Sequence, residues 1–238
     1  MKILLISFLL FVGCSNKTLH HNAAIPSRNI SVDTTKLLVQ ANIAWAEERK
    51  SLPNAGLPVD YRYRQWGFSD SAEMASSTLG KPFLQYNMRL EAIQSYKQSM
   101  DIDISRFLCA SNIWVFPVIS KNTVHGCVGL DPAVTHIGSM NTVDINDIVE
   151  IDSYLPDSEG FEKYLLCITI PHVGDLGQFL FVKKGGHYYF HPTKRTESDL
   201  NLTSKYYLKS HGIYTIDEMM PIIQKAISNN SKGEKLLQ

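Results

Sequence analysis

The chain has 238 residues, of which 23 are basic, 23 are acidic and 44% are hydrophobic, a composition typical of a globular protein. The balanced charge gives it no electrostatic reason to bind nucleic acid, since nucleic-acid binding usually requires a basic stripe. Its four cysteines are too few for a scaffold built mainly from disulfides.

The N-terminus has the pattern of an export signal. Lys2 is followed by the uncharged apolar run 3–12, then by Gly13 and Cys14. This run is too short to cross a bilayer as a helix, which takes about 20 residues, but it fits the apolar region of a secretory signal. We therefore predict a signal peptide over residues 1–13.

Phe11, Val12, Gly13 and Cys14 resemble the lipobox of bacterial lipoprotein precursors, with Phe11 where leucine is most usual. The resemblance implies cleavage before Cys14, a diacylglycerol on its sulfur and a further acyl chain, such as palmitate, on the new amine. Ser15 implies, by the family's sorting rule, the outer membrane, where we expect the body to face the periplasm. Each buried methylene of these chains contributes about 0.8 kcal/mol to membrane binding.

The rest of the chain divides into a tether and a body. Residues 14–30 are polar and aperiodic, which predicts a lipidated tether that spans on the order of 20 Å. Residues 31–238 are predicted to form a single domain around one core. Three cysteines, Cys109, Cys127 and Cys167, remain in the body, and an odd number leaves at least one thiol outside any disulfide.

The first part of the body is predicted to be mainly helical. Apolar residues at helical spacing predict a helix over 33–52, and Asp70 with Glu73 predicts the capped start of a second helix. A strand over about 83–90 and a helix over 91–99 are predicted to follow.

The centre of the chain is predicted to be rich in strands. Residues 112–130 predict two strands around a polar turn, and Gly185-Gly186 predicts a tight hairpin because glycine readily adopts positive φ. Several strands are apolar on both sides, so both faces of the sheet must be covered. Further strands are predicted at 133–138, 148–154, 164–170, 178–184 and 187–191.

A helix is predicted at the C-terminus. Thr215 and Glu218 form a second capping box, and Pro221 is expected to kink the helix or delay its start. An apolar stripe at helical spacing follows, at Ile216, Met219, Met220, Ile223 and Ile227. The predicted fold class is α+β: an antiparallel meander sheet of about six to eight strands with N-terminal and C-terminal helices packed on it.

His125 and Cys127 are the nearest approach to a catalytic pair in the sequence. Two residues apart on a strand, they are expected to share a face, as a base beside a nucleophile requires. No third group that orients the base is evident, so two packed strand residues are the simpler interpretation. Pairing the hairpin about its turn places Cys127 opposite Phe116, which disfavours a disulfide to Cys109 and leaves one to Cys167 open.

His187, Tyr189 and His191 are predicted to lie on one face of the last strand of the hairpin, opposite Leu180 and Val182. Two imidazoles four residues apart on a strand are roughly 13 Å apart, too far to share a metal ion. The pattern therefore favours an aromatic contact surface. We predict no metal and no other cofactor.

Seven acidic residues and no basic residue lie between positions 144 and 162. Oxygen-rich loops suit calcium, but the glycine and terminal glutamate of an EF-hand are not at their offsets. Because Val149 and Ile151 alternate with Glu150 and Asp152, the preferred interpretation is a strand with a solvated acidic edge.

The predicted function is that of a non-enzymatic, lipid-anchored envelope protein that binds a protein or another envelope component, such as an inhibitor, immunity factor or assembly accessory. The alternative is an envelope hydrolase with His125 and Cys127 as its site. The sequence has no GxSxG, HExxH, Walker or dinucleotide-binding motif. Structural linkage to peptidoglycan is a third hypothesis, but binding of peptidoglycan would require a recognisable polar groove.

Overall fold

The structure is a computed structural model in which the described elements belong to one unit that begins at Thr34. The predicted signal peptide, lipobox and tether lie outside the described residues. The structure describes residues 34–51, 63–64, 66–98, 103–132, 138–140, 143–170 and 174–234.

Helices lie at both ends of this unit and between its strands. The helices are α1 Thr34–Ser51, α2 Ser71–Ser76, α3 Leu90–Ser95, α4 Ile104–Phe107, α5 Val143–Ser153, α6 Lys194–Asp199 and α7 Ile216–Glu234. The strands are β1 Thr78–Leu79, β2 Phe83–Met88, β3 Leu108–Ser120, β4 Thr123–Leu130, β5 Gly138–Met140, β6 Glu162–Ile170, β7 Gly174–Lys184, β8 His187–Pro192, β9 Tyr206–Leu208 and β10 His211–Thr215.

The ten strands in the described part of the chain form one sheet, ordered β5-β4-β3-β2-β6-β7-β8-β10-β9, with β1 paired to β3. All pairs are antiparallel except β2 with β6. Two antiparallel parts of the sheet therefore meet at that parallel pair, and α5 lies between them in the chain, after β5 and before β6. The predicted α+β class, with helices at both ends of a mostly antiparallel sheet, is confirmed, and the sheet has more strands than expected.

Helices cover both faces of the sheet, as the doubly apolar strands required. On one face α5 contacts β4 and β7, and Ile148 packs in one cluster with Leu180. On the other face α7 contacts β8 and β10, and Met220 packs in one cluster with Phe181. Consecutive residues of β7 thus point to opposite faces. Each such buried side chain contributes about 1.5–3 kcal/mol through the hydrophobic effect.

The prediction of a strand over 148–154 is wrong, because most of this segment belongs to α5. Ile145, Ile148 and Ile151 recur every three residues and are at most 2% exposed, which is the pattern of a helix face. The alternation around Val149 covers too few residues to define a strand, and packing of the isoleucine face against the sheet decided the conformation.

Both predicted helix caps are present. Asp70 accepts a hydrogen bond from the Glu73 N–H at 2.7 Å, although the Glu73 carboxylate reaches back to the N–H of Ser69 rather than to that of Asp70. Thr215 accepts from the N–H of Glu218, whose carboxylate accepts from the N–H of Thr215 at 2.8 Å. The second cap is the reciprocal arrangement that its sequence predicted.

Three other local predictions have different outcomes. Gly185 and Gly186, with φ of 56° and 83°, form the turn between β7 and β8. Pro221 lies inside α7, and the helix still starts at Ile216. The predicted strand 133–138 falls almost entirely outside the described residues.

Candidate functional site

Helix α5 carries a row of acidic side chains beside its buried isoleucines. Asp144, Asp147 and Glu150 are each three residues apart, so they follow one side of the helix. Asp144 and Asp147 are only 7% and 6% exposed, whereas 39% of the Glu150 side chain is accessible. The predicted solvated acidic edge is therefore wrong for the first two acids.

Two buried histidines come from neighbouring strands, His191 from β8 and His211 from β10. Nε2 of His211 lies 3.3 Å from Oε2 of Glu150, but it is not aligned for a hydrogen bond. Burial, together with the neighbouring His211, lowers the pKa of His191 to about 4, so His191 is neutral at pH 7. We call Asp144, Asp147, Glu150, His191 and His211 the polar cluster.

The polar cluster concentrates unsatisfied hydrogen-bonding groups. Six buried side-chain atoms in the described residues lack a hydrogen-bond partner, and four of them belong to the cluster: Oδ1 of Asp144, Nδ1 of His191 and both ring nitrogens of His211. Each such atom costs about 1–3 kcal/mol in lost solvation. Both nitrogens of His211 lie in the part of the cluster beside Glu150, and unsatisfied buried groups of this kind are found where a ligand, an ion or a water molecule completes a site.

Lys194 brings positive charge to the acidic row. Its backbone N–H donates to Oδ2 of Asp147 at 2.6 Å, at the start of α6. Its ammonium lies 3.8 Å from Asp147 and 3.9 Å from Glu150. Burial would raise the pKa of Glu150, but His211, Lys194 and Tyr154 together outweigh it and lower that pKa. Because 55% of the Lys194 side chain is exposed, its ion pairs contribute little to stability.

Asp144 lies at the start of the acidic row, near Arg195. Burial raises the pKa of Asp144, although Arg195, 3.7 Å away, opposes that shift. Burial also raises the pKa of Asp175 nearby. This end of the row thus combines two acids that hold their protons more tightly than usual with one exposed arginine.

An open cleft of about 590 Å³ adjoins the polar cluster. Asp147, Glu150 and Lys194 form part of its wall. The other lining residues are Asn122, Val124, Asn146, Val149 and Ser153. The cleft thus lies between α5 and the β3–β4 turn, and the charged groups of Asp147, Glu150 and Lys194 in its wall could contact a small polar ligand or an ion.

The structure separates the two residues of the predicted catalytic pair. A bulge shifts the β3–β4 register by one residue, so Cys127 pairs with Pro117 rather than with Phe116. His125 stacks on Phe68 with 4.1 Å between ring centroids, whereas Cys127 packs in the cluster that α5 covers. The predicted shared face is wrong, and the two side chains cannot act together on one substrate.

The predicted face of β8 has the expected register. Leu180 pairs with His191 and Val182 with Tyr189. His187 is exposed, Tyr189 is half-buried and His191 is buried in the polar cluster. A contact surface at His187 and Tyr189 stays a prediction. His191, the third residue of the predicted surface, lies in the interior.

Sequence reasoning alone does not find the polar cluster. The three-residue spacing of Asp144, Asp147 and Glu150 signals one helix face, but only once the segment is recognised as a helix. His211 has no local motif around it, and it reaches the acidic row only because β10 pairs with β8.

The outer side of α1 is a second surface of interest. The inner side of this helix buries large side chains such as Leu37 and Trp45. On the outer side Leu38, Val39 and Ile43 are 41%, 55% and 56% exposed. These three, which we call the α1 stripe, are half of the exposed large hydrophobic side chains in the described residues, and they lie among exposed polar residues such as Asn42 and Glu47.

No protein-family model, curated protein or solved structure matches this chain. None of the helices in the described part of the chain has both the length and the apolar character needed to span a membrane.

Proposed function

We propose that this chain is a lipid-anchored envelope protein, acylated at Cys14, that binds a protein partner through the α1 stripe and has no catalytic role of its own. The observation that carries the binding role is the exposure of three large apolar side chains on one helix. An inhibitor, an immunity factor or an assembly accessory would each use such a surface.

The geometry of α1 favours a partner that presents an apolar groove. Val39 and Ile43 are one helical turn apart, and Leu38 lies beside them. This is the spacing with which an amphipathic helix places anchors in a groove. Burying three such side chains on association gives a favourable contribution of several kcal/mol, before the entropy of association is subtracted.

Contacts with α2 and the residue after it hold α1 in place. Trp45 donates from its indole N–H to Oγ of Ser77 at 3.1 Å, and Trp45 is only 1% exposed. Arg49 donates to the carbonyl of Ala75 at 2.7 Å. A helix fixed in this way loses little conformational entropy when a partner binds its outer side.

The charge balance indicates how the association is driven. With residues 1–13 removed, the mature chain carries 22 basic and 23 acidic residues. Long-range electrostatic attraction is therefore weak, and apolar contact supplies the affinity. Binding through the α1 stripe should accordingly depend little on salt concentration.

The binding role is tested by crosslinking the membrane-anchored full chain in envelope preparations, followed by quantitative mass spectrometry. Replacing Val39 and Ile43 together by Asp should abolish capture of a partner that the unchanged chain recovers. The control replaces Tyr206 and Tyr207 by Asp, because these residues are also exposed, at 67% and 56%, on a different element. Equal capture by both variants, or no partner with the unchanged chain, would overturn the proposal.

The anchor is tested separately at Cys14. Mass spectrometry of the mature N-terminus should show an acylated cysteine as the first residue, and Cys14→Ser should move the protein out of the membrane fraction. An unmodified residue 14 or a retained leader would contradict the assigned location.

A further inference from the structure

Three side chains of the polar cluster present ligand atoms to a common point. One carboxylate oxygen from each of Asp147 and Glu150 and one ring nitrogen of His211 lie within 4.8 Å of one another. Nε2 of His211 and Oε2 of Glu150 are 3.3 Å apart. Two ligand atoms of a tetrahedral zinc ion, with bonds of about 2.0–2.1 Å, are about 3.4 Å apart. This pair thus already has the spacing of two ligands.

The state of His211 is a second, independent observation that points to a ligand. The imidazole is completely buried, and neither of its nitrogens has a hydrogen-bond partner. Nε2 is nevertheless only 3.3 Å from Oε2 of Glu150. The ring thus has nitrogens that no protein hydrogen bond uses, and histidine binds metals through a ring nitrogen.

A cation that entered this site would compete with the ammonium of Lys194 for the carboxylates of Asp147 and Glu150. The ammonium is within 4 Å of both Asp147 and Glu150 and so offsets their negative charges. All three residues line the open cleft, and the Lys194 side chain is 55% exposed. The ammonium can therefore swing into solvent when a cation enters through the cleft.

We propose that Asp147, Glu150 and His211 bind a divalent transition-metal ion of the zinc class, with a solvent molecule from the cleft as a further ligand. One nitrogen and two carboxylate donors suit Zn²⁺ better than Ca²⁺ or Mg²⁺, which prefer all-oxygen sites. The site is separate from the α1 stripe and does not depend on the proposed protein-binding role.

The test is an isothermal titration calorimetry experiment in which Zn²⁺ alone is added to the chelator-treated full chain. Glu150→Gln and His211→Asn should each weaken binding by more than about 10-fold, the smallest effect expected even for an outer-sphere group. Lys194→Met should tighten binding, by at most about 30-fold, which is the effect of removing one positive charge about 4 Å from a doubly charged ion in water. His187→Ala is the control, because His187 is an exposed histidine outside the cluster.

The outcomes separate this site from adventitious binding. Binding that Glu150→Gln leaves unchanged would overturn the proposal, whatever the effect of His187→Ala, as would no Zn²⁺ binding at all. If His211→Asn does not fold, Glu150→Gln decides, since the Glu150 side chain is partly exposed. Co²⁺ as a second probe distinguishes this site from the cysteines: a thiolate charge-transfer band would contradict an oxygen and nitrogen site.

Discussion

The ammonium of Lys163 lies 2.6 Å from Oδ1 of Asp152 and so joins β6 to the end of α5. It also donates to the carbonyl of Leu155 and lies 2.9 Å from Asp157. Only 9% of the Lys163 side chain is exposed. Removing it leaves a largely buried carboxylate and a carbonyl without their donor, which is more costly than losing a surface ion pair.

We expect Lys163→Met to lower the free energy of unfolding by about 2 kcal/mol, measured by urea denaturation. Lys81→Met is the matched control, because Lys81 lies 2.8 Å from the same Asp157 but is 59% exposed. The control should lose less than about 0.5 kcal/mol. Equal losses would show that burial of Lys163 is not what makes it important.

The lowered pKa of the Glu73 carboxyl group predicts a loss of folding stability in acid. Its carboxylate accepts hydrogen bonds from the hydroxyl and the N–H of Ser69 and lies 3.4 Å from the Lys121 ammonium. The hydrogen bonds from Ser69, aided by Lys121, lower the pKa of Glu73 from 4.5 to about 2. Because the folded state binds this proton less tightly than the unfolded state, the stabilisation is complete above pH 4.5 and is lost as the pH falls toward 2.

The measurement is the urea midpoint of the unchanged chain and of Glu73→Gln as a function of pH. The unchanged chain should be more stable by a constant amount above about pH 5, and the difference should shrink toward zero near pH 2. The other carboxyl groups are common to both proteins and cancel. A difference that does not vary with pH would contradict the assigned pKa.

The sequence predicts α7 correctly but not α5, and the difference has a physical reason. In α7 the capping box at Thr215 and the apolar stripe are local signals that agree, and the sheet buries that stripe. In α5 the alternation at Val149 opposed the spacing of the isoleucines, and tertiary packing favoured the helix. The α+β class and the hairpins are likewise locally encoded, whereas the strand order is not.

The candidate site depends on long-range contacts, and for that reason the sequence does not reveal it. His211 meets Glu150 only after β10 has paired with β8 and α5 has packed across the sheet. The bulge in β4 that turns His125 away from Cys127 also has no marker in the sequence. A spacing argument on a strand holds only while the register is regular.

The cysteines should differ in their reactivity toward iodoacetamide in the folded protein. Burial raises the pKa of the Cys167 thiol well above its usual value, and Cys127 is only 4% exposed. Cys109 is partly exposed, and no disulfide joins the three among the described residues. Because the thiolate is the reactive form, we expect alkylation at Cys109 first and at the other two only on unfolding.

Peptide mapping after a brief alkylation near neutral pH measures this order, with a urea-unfolded sample as the control for full reactivity. Rapid labelling of Cys127 in the folded chain would instead restore the thiol-hydrolase hypothesis, since it would require an exposed and activated thiolate.

Gly177 allows β7 to approach the start of α6. Its φ is 152°, and a Cβ at this position would lie 2.5 Å from Cγ2 and 2.7 Å from Oγ1 of Thr196. The same Oγ1 accepts the N–H of Gln178 at 2.9 Å, and Thr196 is only 2% exposed. A methyl group on Gly177 would therefore push Thr196 out of a buried hydrogen bond and displace the first turn of α6.

We expect Gly177→Ala to lower the free energy of unfolding by about 2–3 kcal/mol in urea denaturation, from steric overlap together with the lost hydrogen bond. Gly160→Ala is the control, because Gly160 also has a positive φ, 74°, but nothing lies within 4 Å of its added Cβ. The control should lose only about 1 kcal/mol, from backbone strain alone. Similar losses in the two variants would mean that the approach to Thr196 is not what requires a glycine at position 177.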